Sequence, residues 1–494
     1  MVLIRSYYAA SQAAQAIPAK PIETDVSTQC AMDTAKQWIA ECTANHKRCQ
    51  FSGVPRLPSR VLDVGPAVDG VSVTLHITNP HSPEHQEYVA LSYCWGGPQP
   101  ITTTLATLQS LRTGAEVAQF PQTIRDAIEV TRKLGFRFLW IDSICIIQDS
   151  DSDKEYEINR MSTVYKNATV TIAAAVASTA NEGFLRVVRN PWRFREVSWA
   201  LDGQTTTTLS IAGFKPYSLR LPLHRRGWTF QESLLSRRVL QYEDLDLVWR
   251  CQTGRPRSYL SKGISSFDHS TSLPAGVFQC GLQNKPLNMT RNARHRLWNG
   301  LIYKYSAREL TDKDDRLRAL AGVAQELAKV WGDTYLFGLW KSCIVEQLLW
   351  FCVQGYERQA RRSPRAPTWS WVSLDCHVGF CPVYTTLALA EVSGSATSRE
   401  IRLLCKVVSK AEIPPGCLRD SVYDNKTDVV EDDNLDEISY FLILGKPVRK
   451  EGDYVLALKV IKAGGAQGFR RIGYAELHTF EELTSRQPCS VTLI

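Results

Sequence analysis

Residues 225–238 read RRGWTFQESLLSRR, with a glutamate four positions after a tryptophan and paired arginines at both ends. Two roles suit Glu232. As Thr229-x-x-Glu232 it fits a capping box, in which hydroxyl and carboxylate satisfy the free amides of a helix start for about 1 kcal/mol. As an acid near a ligand it could do chemistry instead. A second group follows the apolar run FRFLWI: Asp142, Ser143, Cys145, Gln148 and Asp149. Asp142 suits either a ligand-facing acid or the N-cap of the next turn. Cys145 has no histidine in its block to activate it, so a buried thiol is expected; Gln148 and Asp149 are expected to shape the loop. Tyr93 and Trp95, just before Gly96 and Gly97, suit a crevice wall or core aromatics. Cys42-x3-His46-x2-Cys49, with Cys30 upstream, offers groups that zinc accepts. The spacing matches no common zinc module and the segment reads as helical, so buried thiols and a surface histidine are expected and no metal is assigned.

These groups need elements to hold them. EYVALSYCWGG (87–97) reads as a buried strand ending in a tight turn. Residues 121–135 have apolar positions at helical spacing and a glycine at the end, the pattern of a capped helix. FRFLWID (136–142) is a second strand, 155–168 a second helix with Glu157 on a solvated or ion-paired face, and TVTIAAAV (169–176) a third strand. Strands alternating with helices imply a parallel sheet, and such a sheet places its ligand crevice beyond the carboxyl ends of the strands. Tyr93 and Trp95 follow the first strand and Asp142 the second. Beyond residue 240 the pattern changes to helical stretches over 294–330 and 339–353. Trp369 and Trp371 then alternate as in a strand, an acidic loop near 420–437 is expected to be mobile, and two strand-like runs close the chain. The expected layout is a lead-in over 1–86, an α/β domain over 87–240, a mostly helical region over 241–375 and a β-rich region over 376–494.

A chain of 494 residues, 44% hydrophobic and 22% charged, fits a multi-domain globular protein. Its net charge of +8 is modest for the length and gives no nucleic-acid footprint. The arginines at 358, 361, 362 and 365 lie among serine and prolines, as in a solvated basic loop. No run reaches the ~18 apolar residues of a membrane span. The N-terminus lacks the apolar block of a secretory signal; it is Ala-rich with Arg5 and no acid before Glu23, features shared with mitochondrial addresses. Fourteen scattered cysteines suggest reduced thiols, so a cytoplasmic location is expected.

YVALSYCWGG, LWIDSICIIQD and RGWTFQESLLSRR, in this order and with MSTVYKNATVTIAAA between the last two, resemble the signature blocks of the fungal heterokaryon-incompatibility (HET) domain. The resemblance implies a role in allorecognition and programmed cell death. It also implies a distant kinship to Toll/interleukin-receptor (TIR) domains, some of which cleave NAD, and so a TIR-like fold over 87–240. WTFQE is similar to the TIR helix with Trp-Cys-x-x-Glu, matching Trp228 and Glu232. On that reading Glu232 and Asp142 are the catalytic candidates. Tyr93, Trp95, Arg226, Trp228, Gln231 and Arg237 would bind substrate, with a tryptophan stacking on nicotinamide and Arg226 or Arg237 holding the pyrophosphate. NAD would be a substrate rather than a firmly bound cofactor. Partners implied are a second copy through the HET domain, an incompatibility partner protein or a small molecule. Two other classes stay open: a non-enzymatic signalling scaffold, and an enzyme of a fungal small-molecule biosynthetic pathway.

Overall fold

Tyr88–Ser92 is buried at every position, as a strand covered on both faces must be. It sits in a nine-stranded sheet. The strands are β1 Arg60–Asp63, β2 Ser72–Ile77, β3 Tyr88–Ser92, β4 Ala115–Glu116, β5 Phe138–Trp140, β6 Val170–Ala173, β7 Arg238–Tyr242, β8 Leu247–Cys251 and β9 Arg257–Ser258. Their spatial order is β9-β8-β7-β6-β3-β5-β1-β2-β4. The computed structural model describes residues 2–6, 25–65, 71–185, 194–200, 206–213, 221–243, 246–259, 272–278, 289–353, 362–391, 398–418, 428–447, 454–463 and 468–494. Residues 7–24 of the Ala-rich N-terminal stretch, Arg358 and Arg361, and 420–427 of the acidic loop lie outside them.

The architecture is α/β, with one correction to the expected parallel sheet. Only the four central strands, β5-β3-β6-β7, run parallel. The outer strands are antiparallel because their connections are short. β1 and β2 are adjacent in sequence, as are β7 and β8, and a few residues can join only antiparallel neighbours. Of the five antiparallel strands, β1, β2, β8 and β9 come from segments outside 87–240, and the edge strand β4 from within it. The central strands appear in the order second, first, third, fourth along the chain. The connections leaving β3, toward β5, and leaving β6, toward β7, thus diverge to opposite sides, the arrangement that leaves a crevice at the carboxyl ends of β3 and β6.

The helices match their periodicity. α1 is Gln29–Asn45, α2 Gln122–Leu134, α3 Asp151–Asn167 and α4 Thr229–Leu235. In α2, Ile124, Ala127, Ile128, Thr131 and Leu134 are buried, and Gly135 closes the helix at φ 90°, where a side chain would be strained. α3 begins four residues earlier than its apolar stripe suggests, because Ser150 accepts the Asp153 amide as N-cap. Glu157 of α3 is buried, not solvated, and faces Arg60 at 3.5 Å.

The chain divides into two units, Met1–Asn284 and Lys285–Ile494. In the second, α5 (Arg291–Ser306) and α6 (Arg318–Trp331) form as expected. The apolar run 339–353 does not form a helix: it is a strand pair at Leu339–Trp340, one turn at Ile344–Gln347 and a strand at Trp350–Cys352. The Gln347 side chain accepts the Trp340 amide at 2.7 Å and folds the run back on itself. Trp369 and Trp371 are both fully buried, but in a loop and a 3-10 turn rather than a strand. Five strands, Ile401–Ser409, Tyr440–Pro447, Tyr454–Lys462, Phe469–His478 and Cys489–Leu493, pair in a ring.

Three sequence expectations fail here for one reason, the pairing of charges and thiols at long range. Arg362 is buried and bonded to Asp428, and Arg365 to Asp375, so neither is part of a solvated loop. Asp428 and Asp432, from the acidic segment, are buried against Arg471, Arg470 and Arg362. Cys352 and Cys376 form a disulfide where only reduced thiols were expected; Cys352 ends a strand whose partner begins at Val378, two residues after Cys376.

Candidate functional site

Ser92, the last residue of β3, is the polar end of an otherwise apolar strand, and its Oγ donates to Glu232 Oε2 at 2.5 Å. Glu232 lies on α4, whose chain direction, set by β7 following it, puts its first turn at the carboxyl edge of the sheet. The Tyr165 hydroxyl, which donates to the Leu91 carbonyl at 2.9 Å, is also within hydrogen-bond reach of the carboxylate. Glu232 as a residue is 5% exposed. Burial raises its pKa to about 7, and the negative Asp142 adds to the rise while Ser92, Arg226 and Tyr165 oppose it.

The capping box does not form. Trp228 is the N-cap of α4 and makes no side-chain cap bond. Thr229 instead donates its hydroxyl to the carbonyls of Leu223 at 2.6 Å and Arg226 at 2.9 Å, tying the helix start to the preceding turn. The glutamate is thus turned to the sheet rather than to its own helix end.

Asp142 follows β5 after one residue and is not an N-cap either, since Ile141 holds that position. One carboxylate oxygen accepts the Ser143 amide at 2.7 Å and the other accepts Trp95 Nε1 at 2.9 Å. Burial raises its pKa, against the pull of Arg226 and of these donors. The Tyr93 hydroxyl donates to Ser143 Oγ at 2.9 Å, and Arg226 reaches the Tyr93 carbonyl at 3.5 Å. Trp95 and Asp142 are thus bonded to each other, and the Arg226 guanidinium acts electrostatically on both Asp142 and Glu232, which makes the four neighbours at this edge of the sheet. Beside Ser92, a cavity with room for about one water is lined by Thr171, Leu223, His224, Thr229, Ser233 and Gln241.

The remaining expected residues separate. Trp228 packs half-buried on the core of the unit. Gln231 is buried, and its Oε1 accepts no hydrogen bond among the described residues. Arg237 is at the other end of the sheet. It precedes β7, so it sits at the amino ends of the parallel strands, where it donates to the carbonyls of Lys166 and Gln50 and lies over the Phe51 ring at 4.4 Å. Its described bonds go to neither Asp142 nor Glu232, so it does not join the group at the carboxyl edge. Cys145 is buried with its thiol pushed up to about 12 by burial, an inert setting. Gln148 donates to the carbonyls of Asp142 and Ile146, and Asp149 accepts the Leu105 amide, so both shape the loop. Sequence reasoning missed Ser92 and Tyr165. Ser92 was findable as the single polar residue at a carboxyl strand end; Tyr165 looks like an ordinary member of the α3 stripe.

The family model of the heterokaryon incompatibility protein (HET) matches residues 88–232, from the first residue of β3 to Glu232 itself. The chain carries a HET domain. Its boundaries enclose three of the four parallel strands, β3, β5 and β6, together with Ser92, Trp95, Asp142, Arg226 and Glu232. No curated protein and no solved structure matches the chain. No described helix is long and apolar enough to cross a membrane.

Proposed function

We propose that this HET domain is an allorecognition and cell-death effector that cleaves NAD, with Glu232 as its catalytic carboxylate. The observation that carries the reading is a single buried glutamate at the carboxyl edge of β3, with Asp142, Arg226 and Trp95 converged beside it. The TIR-like kinship implied by the sequence blocks supports the same substrate. In the reaction the bond from ribose C1′ to the nicotinamide nitrogen breaks. Its electron pair stays with the ring, which leaves as neutral nicotinamide and needs no general acid. Water adds to C1′ and gives up a proton. The ionised Glu232 stabilises the oxocarbenium-like charge on the ribose. Arg226 binds the pyrophosphate, and Trp95 stacks on the nicotinamide.

Enclosure of Glu232 by Ser92 and Tyr165 suits an effector that stays inactive until triggered, as a cytoplasmic NAD-consuming enzyme must. Self-association through the HET domain is the trigger that fits. The same enclosure supports a second reading, a non-enzymatic signalling scaffold in which Glu232 only joins α4 to β3. Nicotinamide release by the purified protein at high concentration, beside Glu232→Gln, separates them. The enzyme reading expects release by the wild type and a loss of a hundredfold or more in the folded variant. Equal release by both removes Glu232 from the chemistry, and release by neither at any concentration favours the scaffold.

A further inference from the structure

Cys42, His46 and Cys49 lie together at the end of α1, and β8 brings a fourth group to them. Cys42 is on the last turn of the helix, His46 is its C-cap, and Cys49 ends the 3-10 turn Lys47–Cys49. Cys251 is the final residue of β8, more than two hundred residues later. One ligand atom from each of the four comes within 4.8 Å of all the others. His46 Nδ1 is 3.3 Å from Cys251 Sγ. For bond lengths of 2.0–2.3 Å, a tetrahedral S₃N zinc site has ligand-to-ligand edges of about 3.6 Å. Cys30, the fourth candidate ligand named from the sequence, is exposed and outside the group.

An independent observation comes from Arg238. This guanidinium is 1% exposed. Among the described residues its bonds go to Cys42 Sγ at 3.3 Å and to the carbonyls of Thr169 and Cys49, with no carboxylate. A buried cation without a counter-charge is strongly unfavourable. Three thiolates, a neutral imidazole and a divalent ion carry one net negative charge, which Arg238 neutralises. The pairing of β7 with β8 sets Arg238 directly opposite Cys251, so the compensating charge is built into the register.

We propose that Cys42, His46, Cys49 and Cys251 bind one zinc ion in a closed tetrahedral site that fastens α1 to β8. Four protein ligands leave no open position, so the ion is structural. The hydrogen bonds of the His46 amide to the Cys42 carbonyl and of the Cys49 amide to the His46 carbonyl hold the three local ligands in place.

The test is elemental analysis of the full chain purified without chelator, followed by cobalt exchange. One zinc per chain is expected. Cobalt should give thiolate charge-transfer absorption with the intense visible bands of a tetrahedral ion. Cys251→Ser should weaken metal binding tenfold or more, and Cys30→Ser should leave one ion per chain. Zinc far below one per chain with no tetrahedral cobalt spectrum would overturn the proposal. So would a disulfide between any two of Cys42, Cys49 and Cys251 in the freshly purified protein, or an unchanged cobalt spectrum in Cys251→Ser. The stoichiometry and cobalt spectrum of the wild type need no variant to fold.

Discussion

Glu232 has an ordinary pKa of 4.5 and one of about 7 in the fold, so it links stability to pH. Between these values the folded chain keeps a proton that the unfolded chain has lost. Stability therefore falls as pH rises through this window, and above it the cost reaches about 3 kcal/mol. Glu232→Gln removes the charge and keeps an acceptor for Ser92. Its melting temperature is expected to exceed the wild type's at pH 8 and to match it near pH 4. A variant that is less stable at both would show that the carboxylate is ionised at no cost. Catalysis requires the opposite protonation state, so NAD cleavage should rise with pH through about 7. Ser92→Ala takes away the donor that favours the ionised form, and should move that rise to higher pH. None of this was readable from TFQE. The spacing invites a cap, but Thr229 is satisfied by two carbonyls of the preceding turn, and Glu232 by a serine 140 positions away.

Elements whose signal is local and periodic were legible in the sequence: α2 with its glycine cap, and β3 and β6 as short, continuously apolar strands. Those that depend on contacts from elsewhere were not. The run 339–353 is as apolar as a core helix, yet Gln347 and the Trp350–Phe380 pairing break it into short pieces. Four of the five antiparallel outer strands of this sheet, β1, β2, β8 and β9, come from segments outside the family match. The same limit hid Cys251, since a ligand on β8 cannot be inferred from spacing around Cys42. The turn after β3 offers a test. Gly96 has φ 73°, and a side chain there would meet Thr179 Cβ at 2.4 Å. Gly96→Ala should destabilise the HET unit by about 1–3 kcal/mol in a denaturant titration. By shifting Trp95 it should also disturb the bond to Asp142. An unchanged midpoint would mean that the turn relaxes without strain.

At the scale of the whole chain, each unit has its own buried charges. In the second, burial works against ionisation of Asp428, but Arg471 and Arg362 outweigh it and hold its pKa down to about 2. Their contribution is present above the ordinary value of 3.8 and is lost as pH falls through about 2. Asp428→Asn leaves Arg471 buried without its counter-charge and should cost about 3–5 kcal/mol. The loss should appear in the unfolding of the second unit, with the zinc content unchanged; a neutral outcome would mean that Asp432 takes over. In the first unit, the nine-stranded sheet ends on both sides in strands of only two residues, Ala115–Glu116 and Arg257–Ser258. A visiting strand finds almost no ladder to extend, so the sheet is blunted against edge-to-edge polymerisation. If copies of this unit self-associate as proposed, the short edges of this sheet direct them to meet through other surfaces, and the assembly is not expected to grow as an amyloid.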